Sequence, residues 1–319
     1  MRFSARDGKG RVNSMLSPMD SKELKRLRNL AQKERLIFKP SQLTRSNRFG
    51  EWDSIFSGEG LDFEKIREAE PGEGVRRVHT PASTRFGRPM VIERTEQHEV
   101  KIFVVADATA SMYPQDKMRI AFGVTCLILH AALKMNTSFG LGIYNSHGVA
   151  YVLPRGGPRH FYRSTNMLIE VLCGNEKKAN FLELQKNEWW AVLRHNLPSR
   201  CFIFFISDFL CPLQETRDTF QVLAPHFEVI PVIVQNDLEY SYPSIQDDIL
   251  FWAQDAETNE ICPIQLTPDN TRLLREKNEM RFSELLTLCR EFLLRPVHLK
   301  EPDFEKMREE LMRLSPSPR

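Results

Sequence analysis

The chain has 319 residues, of which 41% are hydrophobic and 27% are charged, and its formal net charge is +2. This composition is typical of a globular protein made of one large domain or two smaller ones. No stretch approaches the ~20 uncharged apolar residues of a membrane span, and the basic start lacks the apolar segment of a secretory signal. We therefore expect a cytoplasmic protein without a membrane span.

The charge is unevenly distributed, because residues 1–50 hold 13 Lys and Arg against 4 Asp and Glu. A capping pattern at Asp20–Glu23, followed by leucines at near-helical spacing, predicts a basic amphipathic helix over about 21–36 in this arm. The arm could bind nucleic acid or an anionic membrane, but neither a nucleic-acid motif nor interleaved aromatic residues accompany the basic ones. We favour a helix docked on the chain itself or on a partner protein.

Residues 51–98 are rich in glycine, proline and charge, and little of this segment is periodic enough for a long helix. It predicts a small β-rich subdomain that precedes a larger domain over 99–319. The predicted short strands are 62–67, 75–79 and 90–94, with turns at 71–74 and 86–89.

From residue 99 onward, predicted strands and helices alternate, which indicates βαβ units and an α/β fold with parallel strands. Pro231 cannot donate to a strand ladder, so its strand is expected at a sheet edge or with a bulge. In chain order the predicted elements are a strand (100–107), a helix (115–134), a hairpin (138–144 and 149–153), two helices (161–173 and 181–195), a strand (201–208), a helix (214–223), a strand (227–235), a hairpin (249–266), a helix (268–293), a strand (296–299) and a helix after 303.

Two of these strands are apolar almost throughout and end in an acid, the first at Asp107 and the second at Asp208. Such strands are typical of the centre of a parallel sheet, and sites in open α/β sheets lie beyond the carboxyl ends of the strands. After Asp107, Thr109 and Ser111 alternate along the turn, so their side chains could project from one side. Three oxygen donors in this arrangement suit Mg²⁺ or Ca²⁺ better than zinc.

These residues resemble a known family. D-A-T-A-S at 107–111 is similar to the D-x-S-x-S first loop of a von Willebrand factor type A domain, and I-S-D at 206–208 is similar to the third metal loop of that domain. Three upstream motifs resemble the bacterial branch catalogued as domain of unknown function 58. They are G-x-G-x-D-F at 58–63, R-x-x-x-P-G at 67–72 and R-R-V-H-T-P-A-S-T-R at 76–85.

The resemblance implies a doubly wound sheet with a metal-ion-dependent adhesion site at its carboxyl edge. The cation would be Mg²⁺, Mn²⁺ or Ca²⁺, and an Asp or Glu of a protein partner would complete its ligand shell. Family members are often associated with MoxR-class AAA+ ATPases, so such an ATPase is the expected partner. Carried over by position, the site residues are Asp107, Thr109, Ser111, Asp208 and, for the second metal loop of the family, Asn180. The family usually has a threonine in that second loop, and Thr165 is a further candidate for it.

Two alternatives stay open. Thr109 and Ser111 could cap the following helix while Asp107 and Asp208 accept backbone N–H bonds, which would leave a metal-free interaction protein. Asp107 could instead attack phosphorus beside Mg²⁺, although Thr109 stands where such phosphotransferases usually have a second acid. We favour a non-enzymatic module, since G-x-S-x-G, P-loop and H-E-x-x-H motifs are missing from the sequence.

Other residues of potential function receive plainer interpretations. The six cysteines are scattered without C-x-x-C spacing, and we interpret them as reduced, small core residues. His130 and His195 are predicted to be packing or surface residues. Trp189 and Trp190 are neighbours on a predicted helix, so they cannot both face one core. We expect either one of them exposed for a partner or both partly buried.

Overall fold

The computed structural model describes residues 2–4, 19–36, 64–68, 80–94, 101–114, 116–179, 181–184, 186–197, 201–235, 249–254 and 261–313. Residues 1–38 and 100–319 form one compact unit, and residues 39–99 form a second. Within the described ranges, no helix has the length and apolar character that a membrane span requires.

The elements are numbered in chain order. The strands are β1 (Arg2–Ser4), β2 (Glu64–Glu68), β3 (Met90–Arg94), β4 (Lys101–Asp107), β5 (Ser138–Asn145), β6 (Gly148–Arg155), β7 (Cys201–Ser207), β8 (Glu228–Val234), β9 (Ile249–Gln254), β10 (Ile261–Leu266) and β11 (Val297–Leu299). The helices are α1 (Ser21–Ala31), α2 (Thr80–Phe86), α3 (Lys117–Lys134), α4 (Pro158–Leu172), α5 (Lys186–Asn196), α6 (Leu213–Leu223), α7 (Pro268–Glu291) and α8 (Phe304–Met312).

The larger unit is built on a six-stranded sheet with the order β11-β8-β7-β4-β5-β6. Its strands run parallel except β6, which pairs antiparallel with β5. From β4 the chain passes through α3 to β5 on one side, whereas from β7 it passes through α6 to β8 on the other. The strand order therefore reverses between β4 and β7, which confirms the predicted α/β, doubly wound, mostly parallel sheet.

Both faces of this sheet are covered, because side chains that alternate along β4 enter two different cores. Phe103 and Val105 pack with residues of α5, α6 and α7. On the other face α3 is buried over almost its whole length, and α1, α4 and α8 pack against it. Six of the seven residues of β4 are buried, as predicted for a central strand.

Helix α1 is docked on the body of the chain. Asp20 caps its start by accepting a hydrogen bond of 2.9 Å from the N–H of Lys22, and Leu24 and Ala31 are buried on its inner face. Arg28 donates to Asn166 of α4 at 2.7 Å. One basic side chain of this helix therefore fastens it to α4, and Leu24 and Ala31 are covered by the chain itself, whereas Leu30 stays exposed.

The smaller unit contains β2 and β3, which pair antiparallel in register from Glu64 beside Arg94 to Glu68 beside Met90. The strand predicted at 75–79 lies outside the described residues. Helix α2 was not predicted, and its start at Thr80-Pro81 follows the preference of proline for the first turn of a helix. A seven-residue helix is too short for apolar periodicity to reveal it.

Three other expectations about the fold need correction. Pro231 lies in β8, which is an interior strand that pairs with β7 in continuous register from Phe202 to Ser207, so the predicted edge or bulge is wrong. Proline is tolerated there because β11 pairs with β8 only from Val232 onward.

Strand β1 is the second correction, since it was not predicted. Its three residues are too few for a strand pattern to be recognised. It pairs antiparallel with β9, which belongs to the predicted 249–266 hairpin.

The tryptophan pair is the third correction. Trp189 and Trp190 are 0% and 1% exposed, and their rings stack at a centroid distance of 4.7 Å. Both contact Tyr144 of β5, so neither is left for a partner. Two successive helical residues can both be buried because α5 is covered on more than one side, by the sheet and by α6.

The cysteines with the deepest burial are Cys126, Cys201 and Cys289. Burial raises the pKa of the Cys289 thiol to about 12 and raises those of the other two thiols further. These three behave as small apolar residues, as predicted. Cys173 and Cys211 are half-buried, and Cys262 belongs to a stretch whose side chains are outside the described set.

Gly142 of β5 provides a test of this packing. A Cβ atom there would lie 2.4 Å from a ring carbon of the buried Trp189. Gly142→Ala should therefore destabilise the fold by about 1–3 kcal/mol in chemical denaturation, because the ring cannot move without disturbing the core. Gly156→Ala is the matched control, since a Cβ atom there meets nothing within 4 Å. Equal stability of the two variants would contradict the described packing.

Candidate functional site

The candidate site lies where β4, β5 and β7 end at the carboxyl edge of the sheet. Asp107 is the last residue of β4, Asp208 directly follows β7, and the parallel register places Tyr144 of β5 beside Asp107. An open cleft of about 420 Å³ lies over these strand ends. The polar side chains that line the cleft include Asp107, Thr109, Ser111, Tyr144, Asp208 and Glu215.

The Asp107 carboxylate is buried and accepts hydrogen bonds at both oxygens. Oδ2 accepts from the hydroxyls of Tyr144 at 2.7 Å and Ser207 at 2.6 Å. Oδ1 accepts from both the hydroxyl and the backbone N–H of Thr109, at 2.7 and 2.9 Å. Four donors thus hold the carboxylate in one orientation, with donors contributed by β5, β7 and the turn after β4.

The electrostatics of Asp107 oppose its ionisation. Burial and, after it, the charge of Asp208 raise the pKa of the Asp107 carboxyl, while the hydrogen bonds from Ser207 and Thr109 act in the opposite direction. Burial and the adjacent Asp107 also raise the pKa of Tyr144 well above its usual value, so its hydroxyl stays a proton donor.

The loop after β4 brings the predicted hydroxyls together. Thr109 Oγ1 and Ser111 Oγ are 3.1 Å apart, and a 3-10 turn over Ala110–Met112 follows Thr109 directly. The Thr109 hydroxyl donates to Asp107 and does not cap the turn, and α3 begins only after Asp116. The capping role that the metal-free alternative gave to these hydroxyls is therefore wrong for Thr109, and Ser111 precedes α3 by too many residues to cap it.

Asp208 has a different partner. Its Oδ2 accepts a hydrogen bond of 2.8 Å from the Lys117 ammonium, and the two side chains are 3% and 0% exposed. Its Oδ1 accepts from the backbone N–H of Leu210 at 3.1 Å. Both acids thus accept a backbone N–H bond, as the metal-free alternative expected, but Asp208 is also neutralised by a buried cation from the start of α3.

The segment after β7 is held by several contacts. Phe209 adopts a left-handed backbone with φ of 52°, which is uncommon for a residue with a bulky side chain. Its buried ring packs against Phe205 and Phe220, and its N–H donates to Ser207 Oγ at 3.1 Å. Gln235 donates to the Asp208 carbonyl at 2.7 Å. Backbone strain of this kind persists where neighbouring contacts fix the local conformation, as they do here beside the cleft.

The oxygen atoms of the first loop fit a hard divalent cation. Ligands that share an octahedral Mg²⁺ shell with bonds near 2.1 Å lie about 3.0 Å apart, which is close to the separation of the Thr109 and Ser111 hydroxyls. The described residues contain no cluster of three His, Cys, Asp or Glu that could hold a metal, so hydroxyl groups would have to take part. Asp208 fits less simply, because Lys117 already neutralises it.

The second loop is only partly accounted for. Asn180 lies outside the described residues. Thr165 is buried in α4, where its hydroxyl donates to the Phe161 carbonyl at 3.0 Å and accepts from Arg28, so it is not brought to the cleft. Three of the predicted site residues, Asp107, Thr109 and Ser111, therefore lie together, with Asp208 on the neighbouring strand end lining the same cleft.

Sequence reasoning missed Lys117, Tyr144 and Ser207 as site residues. Lys117 precedes Ile120 by three positions and Val124 by seven, so its place on the apolar face of α3 could have been noticed. Ser207 adjoins the predicted Asp208. Tyr144 ends a predicted strand, but its donation to Asp107 depends on the pairing of β4 with β5, which the pattern did not specify.

The structure defines a class of protein: a doubly wound α/β domain with a polar cleft at the carboxyl edge of its sheet, where the strand order reverses. The chain belongs to the family described as protein of unknown function DUF58, whose model matches residues 65–283. A solved structure of a von Willebrand factor type A protein from Catenulispora acidiphila is similar at 13% identity, covering 70% of this chain and 44% of that one, with a TM-score of 0.33. The comparison with curated proteins gave no match.

The hydrogen bond between Tyr144 and Asp107 can be tested by removing one hydroxyl. Tyr144→Phe should lower the free energy of unfolding by about 1.5–3 kcal/mol in urea denaturation, because a buried acceptor loses a short bond. Tyr162→Phe is the matched control, since Tyr162 is 44% exposed and its change should stay within about 0.5 kcal/mol. A Tyr144→Phe variant as stable as its control would contradict the described geometry.

Proposed function

We propose that the protein is a non-enzymatic, cytoplasmic protein-binding module that docks a partner at the carboxyl edge of its sheet, with the help of a divalent cation. The observation that carries the proposal is the convergence of the Thr109 and Ser111 hydroxyls beside the Asp107 carboxylate, at an open cleft. The electrostatics support it as well, because burial and, after it, the charge of Asp208 raise the pKa of Asp107, and a cation beside Asp107 would stabilise its ionised form.

The Thr109 and Ser111 hydroxyls would hold the cation, with Asp107 behind Thr109 as the balancing charge and Asp208 as a further ligand. Mg²⁺ is the first candidate and Mn²⁺ and Ca²⁺ are the others, since all three prefer oxygen ligands. When bound, the ion supplies an open coordination position for an acid of the partner. The residues of this chain orient the site, because Tyr144 and Ser207 keep the Asp107 carboxylate in place from β5 and β7.

The proposed partner is a MoxR-class AAA+ ATPase that presents an Asp or Glu. This choice rests on the family resemblance of the loop at 107–111 and of the upstream motifs. A module that only binds would link the ATPase to its substrate, with no bond made or broken. Nucleic acid is not proposed as the partner, because the basic helix α1 uses Arg28 for a contact within the chain.

The arrangement favours binding over phosphoryl transfer. A nucleophilic aspartate needs an oxygen free to reach phosphorus, whereas both oxygens of Asp107 accept hydrogen bonds and the residue is 4% exposed. Four donors also stabilise the carboxylate and lower its nucleophilicity. A phosphatase screen in which turnover depends on Asp107 would favour the enzyme instead.

Binding of a purified MoxR-class ATPase from the same genome tests the proposal. Binding to the immobilised full chain should be measured by biolayer interferometry in 5 mM MgCl₂, with wild type and a Thr109→Val/Ser111→Ala variant. The variant should lose at least tenfold in affinity, because two hydroxyl ligands are removed. A chelator arm alone would be ambiguous, since the ATPase itself uses Mg²⁺.

The control is Thr125→Val, which removes a buried threonine hydroxyl of α3 that bonds the Ala121 carbonyl, at a position outside the cleft. It should bind the ATPase as wild type does. Binding of the double variant with unchanged affinity would contradict the proposed site, and an absence of binding by the wild type would contradict the proposed partner.

A further inference from the structure

A buried ammonium group lies next to the proposed cation site. Lys117 is 0% exposed, and its Nζ lies 2.8 Å from Asp208 Oδ2. Lysine is almost never fully buried without a specific partner, and the positions that follow on the same face of α3, Ile120, Ala121 and Val124, are apolar and buried. An apolar side chain would suit this position of the helix, so the charge of Lys117 calls for an explanation beyond packing.

The charges of the strand ends supply that explanation. Asp107 and Asp208 lie at the ends of the paired strands β4 and β7, both are buried, and both line the same cleft. Without a counter-charge, two acids would be buried side by side, which strongly disfavours their joint ionisation. The Lys117 ammonium, at the start of α3, offsets the charge of Asp208.

We propose that Lys117 is an internal counter-cation that sets the affinity of the site for divalent ions. The inference rests on the proposed function and deepens it, since it names the residue that makes cation binding weak and reversible. With Lys117 in place the buried set of Asp107, Asp208 and Lys117 carries one net negative charge. A divalent cation has to share Asp208 with the ammonium.

Two consequences follow from this competition. The fold does not depend on a bound metal, because the ammonium stabilises the acids when no cation is present. Partner docking that requires the cation then responds to the concentration of free divalent ions. Removing the ammonium should reverse both properties, since the two acids would then attract a divalent ion more strongly and depend on it for stability.

The experiment compares Mn²⁺ binding by isothermal titration calorimetry in the full-length wild type and in Lys117→Met. The variant should bind Mn²⁺ at least tenfold more tightly than the wild type. Its melting temperature should be lowered in EDTA and recovered in millimolar Mg²⁺, whereas the wild type should change little between the two conditions. Lys134→Met is the matched control, because it removes an exposed lysine from the end of the same helix.

Two further variants keep the test decisive if Lys117→Met folds poorly. Lys117→Met/Asp208→Asn removes both charges of the pair, so it should fold without metal and bind Mn²⁺ no more tightly than the wild type. Asp107→Asn should abolish binding in the wild-type background. A Lys117→Met chain that stays unfolded in millimolar Mg²⁺ while the double variant folds would overturn the proposal, because the cation would have failed to replace the ammonium.

The outcomes separate this proposal from the one on which it rests. If wild type and Lys117→Met bind Mn²⁺ equally, and Asp107→Asn does not bind, the cation site stands and the role of Lys117 is overturned. If neither binds Mn²⁺, both proposals are overturned. Tighter binding by Lys134→Met, equal to that by Lys117→Met, would reveal a general charge effect and would also overturn the specific role.

Discussion

Two carboxylates, Asp107 and Asp208, lie at the ends of neighbouring buried strands, and their repulsion has to be offset within the fold. Burying an uncompensated charge costs several kcal/mol, so each acid requires partners. Asp107 is met by hydroxyl groups from β5, β7 and its own turn, and Asp208 by the ammonium of Lys117. The start of α3, the end of β5 and the tip of β7 are thereby bound to one another at the carboxyl edge.

This arrangement follows from the position of β4 in the sheet. Because β4 pairs with both β5 and β7, the chain leaves neighbouring strand ends in opposite directions and a cleft opens between them. The helices on both faces bury the strands, so the polar groups at their ends have few alternatives to bonding one another or a ligand. The outcome is that the Thr109 and Ser111 hydroxyls lie together beside Asp107.

The buried lysine neutralises Asp208 from within the fold, and a cleft of about 420 Å³ lies over the strand ends. Membership of the DUF58 family sets no activity for the chain, so the function proposed here depends on these local contacts. The docked helix α1 buries Leu24 and Ala31 and uses Arg28 for contacts within the chain.

The sequence by itself determined the two buried strands, their terminal acids, the hairpins and the alternation of strands with helices, because apolar runs and turn residues are local patterns. It also indicated Asp107, Thr109, Ser111 and Asp208 as site residues. Only the tertiary structure decided that Lys117 pairs with Asp208, that Tyr144 and Ser207 hold Asp107, and that Pro231 lies in an interior strand. These facts depend on which strands are neighbours and on how each helix packs against them, and a local pattern does not encode such long-range contacts.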